Sequence, residues 1–230
     1  MGYPAIKVSR EKLKHNTKIL AEKCGRLGID IVPVTKVYCG IPEIAEASVA
    51  AGAKMLADSR IENIIKLKEL NAEKMLLRIP MLSQVDEIVE HVDISLNSEY
   101  EVIKALSGKA LQRGKIHKII LMVDLGDLRE GVWYKDAVEF AGRIVKLPGI
   151  KLVGLGTNLT CYGAVIPSVE NLGLLAALAE ETEKKYDIKL DIISGGNSSS
   201  LHLVEKNKVP KGINQLRLGE AIVLGNETAY

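Results

Sequence analysis

Aromatic side chains are scarce in this chain, at 4% of residues with one Phe and one Trp. That argues against a surface on which nucleic-acid bases stack. The net charge of +2 and the lack of any basic run point the same way. Cysteine is sparse too. Cys24, Cys39 and Cys161 are odd in number and far apart, with no C-x-x-C pair. This argues against a disulfide framework or a structural zinc site, and for a reducing compartment. His15, His91, His117 and His202 lack ligand spacing, so no metal is expected. No apolar run approaches the ~18 residues of a membrane span. The N-terminus is charged at Lys7, Arg10, Glu11 and Lys12, with no apolar stretch before them. The expectation is a soluble cytoplasmic protein with no nucleic-acid or membrane partner.

What the chain does have is apolar periodicity. Of its 230 residues, 47% are hydrophobic and 26% charged, enough for one large domain. Short apolar runs rich in Ile, Val and Leu alternate with amphipathic stretches, without a linker or low-complexity segment. The strands fall at Ile31–Lys36, Lys54–Asp58, Met75–Ile79, Val92–Leu96, Lys118–Asp124, Lys151–Thr157, Lys189–Ser194 and Ile213–Arg217. Helices lie between them, and another precedes them over Arg10–Gly25, capped by Ser9. Continuous apolar strands alternating with helices mean a parallel sheet covered on its outside. Eight such units predict an α/β fold, a (β/α)8 TIM barrel, with a doubly wound open sheet as the alternative. A weak alternation over Tyr3–Val8 predicts one surplus strand. After the eighth strand no closing helix is evident, and both ends look as though they belong to something further. The expectation is one barrel domain over residues 1–230, truncated before a C-terminal β domain.

The strand Ile31-Val32-Pro33-Val34-Thr35-Lys36 ends in a lysine. Partial burial there would lower its pKa and leave a nucleophilic amine, as a Schiff-base lysine requires. The alternative is a lysine that snorkels to solvent. Barrel active sites lie at the C-terminal ends of the strands, and polar residues gather at that end of nearly every strand here. After the seventh strand, Gly195-Gly196-Asn197-Ser198-Ser199 opens a helix. Glycines permit close backbone approach, hydroxyls donate, and a helix N-terminus favours an anion. Arg217-Leu218-Gly219-Glu220 lies after the eighth strand. The loops after strands seven and eight commonly bind phosphate in barrels. An amine facing a phosphate anchor across the mouth is the layout that pyridoxal 5'-phosphate (PLP) needs.

The stretches VPVTKVYCGIPEIA, MLADSRIENI, LLRIPMLS, ISLNSE, MVDLGDLREGVW, GLGTNLTCYG, ISGGNSSSL and INQLRLGEAIVLG span nearly the whole chain. Together they resemble the alanine-racemase-like fold type of PLP enzymes, and within it the ornithine racemase branch. The resemblance implies a PLP-dependent amino-acid racemase acting on ornithine or a related basic amino acid. It implies Lys36 as the PLP lysine and one catalytic base. It places Arg129 near the cofactor's phenolic oxygen or the substrate carboxylate, and Arg217 against the pyridine nitrogen. Asn158 stands where alanine racemases carry a histidine against the ring. Ser198 and Ser199, with the N–H groups of Gly219 and Glu220, correspond to the phosphate cup. Tyr38 corresponds to a phosphate-binding tyrosine, at shorter spacing. In two-domain members the second base is a tyrosine from the partner subunit's β domain, so the resemblance implies a homodimer and a chain that binds PLP but racemises poorly alone. The alternative is a single-barrel PLP-binding homeostasis or carrier protein. A cofactor-free Schiff-base aldolase and a basic amino-acid decarboxylase are further readings. Asp58, Glu62, Glu99, Asp127 and Glu130 are the candidate partners for a distal ammonium.

Overall fold

A computed structural model describes residues 4–160 and 165–226. Eight parallel strands run in the order the sequence predicts: β1 (Asp30–Pro33), β2 (Met55–Asp58), β3 (Glu73–Leu76), β4 (Ile94–Asn97), β5 (His117–Asp124), β6 (Ile150–Gly156), β7 (Ile192–Ser194) and β8 (Gln215–Leu218). Each pairs with its sequence neighbour from β2 to β8, and β8 pairs with β1. A single parallel bridge between Val34 and Ala57 closes the remaining seam between β1 and β2. The result is a barrel, not an open sheet.

Side-chain alternation sorts the strands into two faces. Val32, Val34, Ala57, Met75, Ile94, Leu96, Ile120, Met122 and Val153 pack together inside the barrel. Their neighbours Ile119, Leu121, Val123, Leu152 and Leu155 pack outward against the helices. Those helices are α1 (Arg10–Gly25), α2 (Pro42–Val49), α3 (Ile61–Lys66), α4 (Val85–His91), α5 (Tyr100–Gln112), α6 (Ala137–Ile144), α7 (Val169–Tyr186), α8 (Leu201–Glu205) and α9 (Glu220–Leu224). Ser9 caps α1 by accepting from the Lys12 N–H, as expected from the sequence. Ser168 and Asn171 form a reciprocal capping box on α7.

Four expectations need correction. Residues 4–9 carry no regular structure, so the predicted surplus strand is absent among the described residues, and Tyr3 lies outside them. One short helix, α9, does follow β8; five residues gave too little periodicity to read. A two-residue strand, Val132–Trp133, pairs with the end of β5 and was not foreseen. Finally, β1 ends at Pro33, and Lys36 opens a short 3-10 turn beyond it, where it is exposed rather than partly buried.

Candidate active site

Register decides which side chains reach the mouth. Arg217 on β8 lies opposite Val32 on β1. Paired residues share a face, and Val32 points inward, so Arg217 points inward too. It is 3% exposed. Its guanidinium donates to the Thr157 carbonyl at 2.7 Å, to Asn158 Oδ1 at 2.6 Å and to the Ser194 hydroxyl. Ser194 in turn donates to Gln215 Oε1 at 2.9 Å. Burial pushes the Arg217 pKa down to about 10, with Glu130 acting in the opposite sense. It is still a cation at neutral pH.

The loop after β5 brings in two more charges. Asp124, the last residue of β5, accepts from the N–H groups of Gly126 and Leu128 and so folds the loop back. Arg129 Nε and Nη2 then meet the two oxygens of Glu130, each at 3.1 Å. Glu130 Oε1 also accepts from the Asn158 side-chain amide. Burial alone would raise the Glu130 pKa. The hydrogen bonds from Arg129 and Asn158 and the charges of Arg129 and Arg217 outweigh it and hold the carboxyl below its usual value. Gly131 makes the turn possible. Its φ is +119°, and a Cβ there would lie 2.6 Å from the Asp124 nitrogen.

Lys36 reaches the mouth from the turn after β1, the strand that pairs with β8. Thr35 before it is fully buried, and its hydroxyl donates to Asp58 Oδ2 at 2.6 Å. The other Asp58 oxygen accepts from the Arg60 N–H and from Asn63. Asp58 thus anchors the turn that carries Lys36, and its oxygens are committed there.

A cavity of about 910 Å³ opens at this end of the barrel. Lys36, Arg129, Glu130, Asn158, Ser198, Arg217, Gly219 and Glu220 all line it. The structure therefore brings together eight of the sequence-predicted site residues. Two of the predicted cofactor-binding residues, Tyr38 and Ser199, do not line it. Tyr38 packs beside the cluster of Ala45, Leu56 and Leu67 and does not line the cavity. Burial and the charge of Asp58 push its hydroxyl pKa upward. Ser199 is fully buried, and its hydroxyl is engaged with Asn197 Oδ1 and the Leu159 carbonyl. It braces the loop rather than offering a donor. Of the five carboxylates proposed for a distal ammonium, Glu130 lines the cavity and Asp58, Glu62, Glu99 and Asp127 do not. Tyr162 and Cys161 lie outside the described residues.

The loop after β7 supplies an anion cradle. The Ser198 hydroxyl oxygen accepts from the Ala221 N–H at 3.3 Å, which leaves its proton for a ligand. Gly219 faces the first strand so closely that a Cβ would sit 3.3 Å from Val34 Cβ. Sequence reading gave Ser194 no separate role and missed Gln215; Ser194 accepts from Arg217 and donates to Gln215. The inward alternation of β7 and β8 was the signal that could have found them.

A parallel barrel with an exposed lysine beyond β1 and a hydroxyl-and-glycine cradle at the neighbouring ends of β7 and β8 has the donor set that a phosphorylated carbonyl compound requires. Residues 8–227 match the family model for the alanine racemase N-terminal domain, and the chain belongs to that family. It is 45% identical to ornithine racemase of Acetoanaerobium sticklandii over 99% of its length, covering 65% of that protein. It is 42% identical to lysine racemase of Thermotoga maritima, again over 99% of its length and 64% of that protein. The chain thus spans about two-thirds of these relatives. Among solved structures, PipY of Synechococcus elongatus with PLP bound superposes with a TM-score of 0.71 at 20% identity, over 89% of this chain and 99% of that one.

Proposed function

We propose that this barrel binds PLP and serves amino-acid racemisation, with a diamino acid such as ornithine or lysine as substrate. The observation that supports the reading most strongly is the shared wall of the cavity: Lys36, exposed beyond the end of β1, with Ser198 and Gly219 at the ends of the neighbouring strands β7 and β8. The donor set suits the cofactor. Lys36 offers an amine to its carbonyl, and the Ser198 hydroxyl with the backbone beside Gly219 offers donors to its phosphate. Bound there, PLP supplies the electron sink that makes the Cα proton of an amino acid acidic.

The chain's own residues would then do the following. The Lys36 amine takes or returns the Cα proton on its side of the cavity. Ser198 and the Gly219 backbone fix the anionic end. Arg129, positioned by Glu130, offers a cation for a substrate carboxylate. Arg217 keeps a permanent positive charge on the barrel side, which opposes protonation of any base placed against it. Asn158, clamped between Glu130 and Arg217, presents its amide face where alanine racemases present a histidine.

Identity at 45% and 42% to ornithine and lysine racemases supports a basic substrate. The likeness to PipY speaks for the fold alone, so the carrier reading has less support. The domain reading also stays a proposal: a single PLP-binding barrel over residues 1–230 that works with a further β domain and as a homodimer. The test is a visible spectrum with added PLP, followed by chiral assay of D/L-ornithine, -lysine and -alanine. A yellow band lost in Lys36→Ala, with interconversion of the diamino acids ahead of alanine, is the expected result. A band without interconversion of any amino acid, even when the third of a relative that this chain does not cover is supplied, would favour the carrier.

A further inference from the structure

Arg217 is a buried cation whose hydrogen-bond acceptors among the described residues are all neutral: the Thr157 carbonyl, the Asn158 amide oxygen and the Ser194 hydroxyl. Burying a charge against neutral partners alone is costly. The compensating anion lies one residue further on. Asn158 gives its oxygen to Arg217 and its nitrogen to Glu130. This orientation is dictated from both ends, because a guanidinium only donates and a carboxylate only accepts. An amide held so has its negative end on the cation and its positive end on the anion. A continuous string results, from Arg129 through Glu130, Asn158 and Arg217 to Ser194 and Gln215. It ties the loop after β5 to the ends of β6, β7 and β8.

We propose that Glu130 is a positioning residue that acts on Arg217 through Asn158, supplying the counter-ion that fixes the buried guanidinium and sets the positive potential on the cavity wall. The charged groups that line the cavity are Lys36, Arg78, Arg129 and Arg217 against Glu130 and Glu220. Removing Glu130 leaves one carboxylate against four cations. Everything bound at Lys36 then feels a more positive surrounding. The role deepens the PLP reading and rests on it only where the readout uses PLP.

The test uses the full chain loaded with PLP. The visible band of PLP held on Lys36 changes with pH as the linking nitrogen loses its proton, and the midpoint reports the local potential. Glu130→Gln keeps the size of the side chain and deletes the charge. The expected result is a midpoint lower by roughly one pH unit, the effect of a unit charge about 12 Å away at an effective dielectric of about 20. Asn158→Asp places an anion directly on Arg217, so the double variant Glu130→Gln/Asn158→Asp should move most of the way back. A merely structural role would not produce that return. Coincident midpoints for the parent and Glu130→Gln would overturn the proposal, as would a double variant no nearer the parent than the single one. If the parent itself shows no Lys36-dependent band, the PLP reading fails instead. The counter-ion role is then read from thermal melting of the cofactor-free chain. Glu130→Gln should melt earlier and the double variant should recover; a double variant that melts below the single one overturns it.

Discussion

His117 offers a quantitative check on the core that supports the mouth. It opens β5, is 3% exposed, and points outward toward the helix layer. Its Nε2 sits 2.7 Å from the Ser95 hydroxyl, and Ser95 also accepts from the Asn97 amide at the end of β4. Burial lowers the His117 pKa from 6.5 to about 4, with Asp93 opposing the shift. The unfolded chain therefore binds this proton near pH 6.5, and the folded chain only near pH 4. Stability is complete above pH 6.5 and falls as the pH drops toward 4. A shift of this size corresponds to about 3 kcal/mol in full, of which about 2 kcal/mol is lost by pH 5. Urea unfolding at pH 8 and pH 5 measures the loss, and His117→Gln should remove most of it. Carboxylates held at low pKa act in the same direction, so the comparison with the variant isolates the histidine. An equal loss in parent and variant would refute the assignment.

Other predictions concern the mouth. Gly131→Ala forces a Cβ against the Asp124 backbone at a φ that side chains rarely adopt. It should cost about 2 kcal/mol or more in denaturant unfolding and misplace Arg129. Gly219→Ala meets Val34 at 3.3 Å and narrows the cradle; PLP affinity measured by absorbance titration should fall several-fold while folding is retained. Ser198→Ala should weaken PLP binding more than it weakens the fold. Ser199→Ala should do the reverse, losing about 1 kcal/mol with the hydroxyl's hydrogen bonds to Asn197 Oδ1 and the Leu159 carbonyl.

The barrel was legible because buried parallel strands leave a strong record. KIILMVD and KLVGLGT cannot be amphipathic surface segments, and their spacing fixes the count at eight. Lys36, Arg217 and the GGNSSS loop were legible because position in a barrel and residue type agree. Two kinds of information were not. The first is the face of a residue within a loop. Tyr38 and Ser199 sit in the right stretches, but a 3-10 turn directs one into an outer cluster and a hydrogen bond to Leu159 turns the other inward. The second is pairing across loops. Glu130 read as an independent anion for a substrate, whereas folding places it between Arg129 and Asn158, 28 residues apart in sequence from its amide partner. The short helix α9 and the two-residue strand at Val132 were too brief to show periodicity, and tertiary pairing decides them.

The central claim is that Lys36 holds PLP at the mouth of this barrel. The most direct measurement is to incubate the chain with PLP, trap the adduct with borohydride, and locate the label by peptide mass spectrometry. One label on the peptide carrying Lys36, blocked by prior Lys36→Ala substitution, is the predicted result. A label spread over surface lysines, or its persistence elsewhere at full yield in Lys36→Ala, would contradict the account.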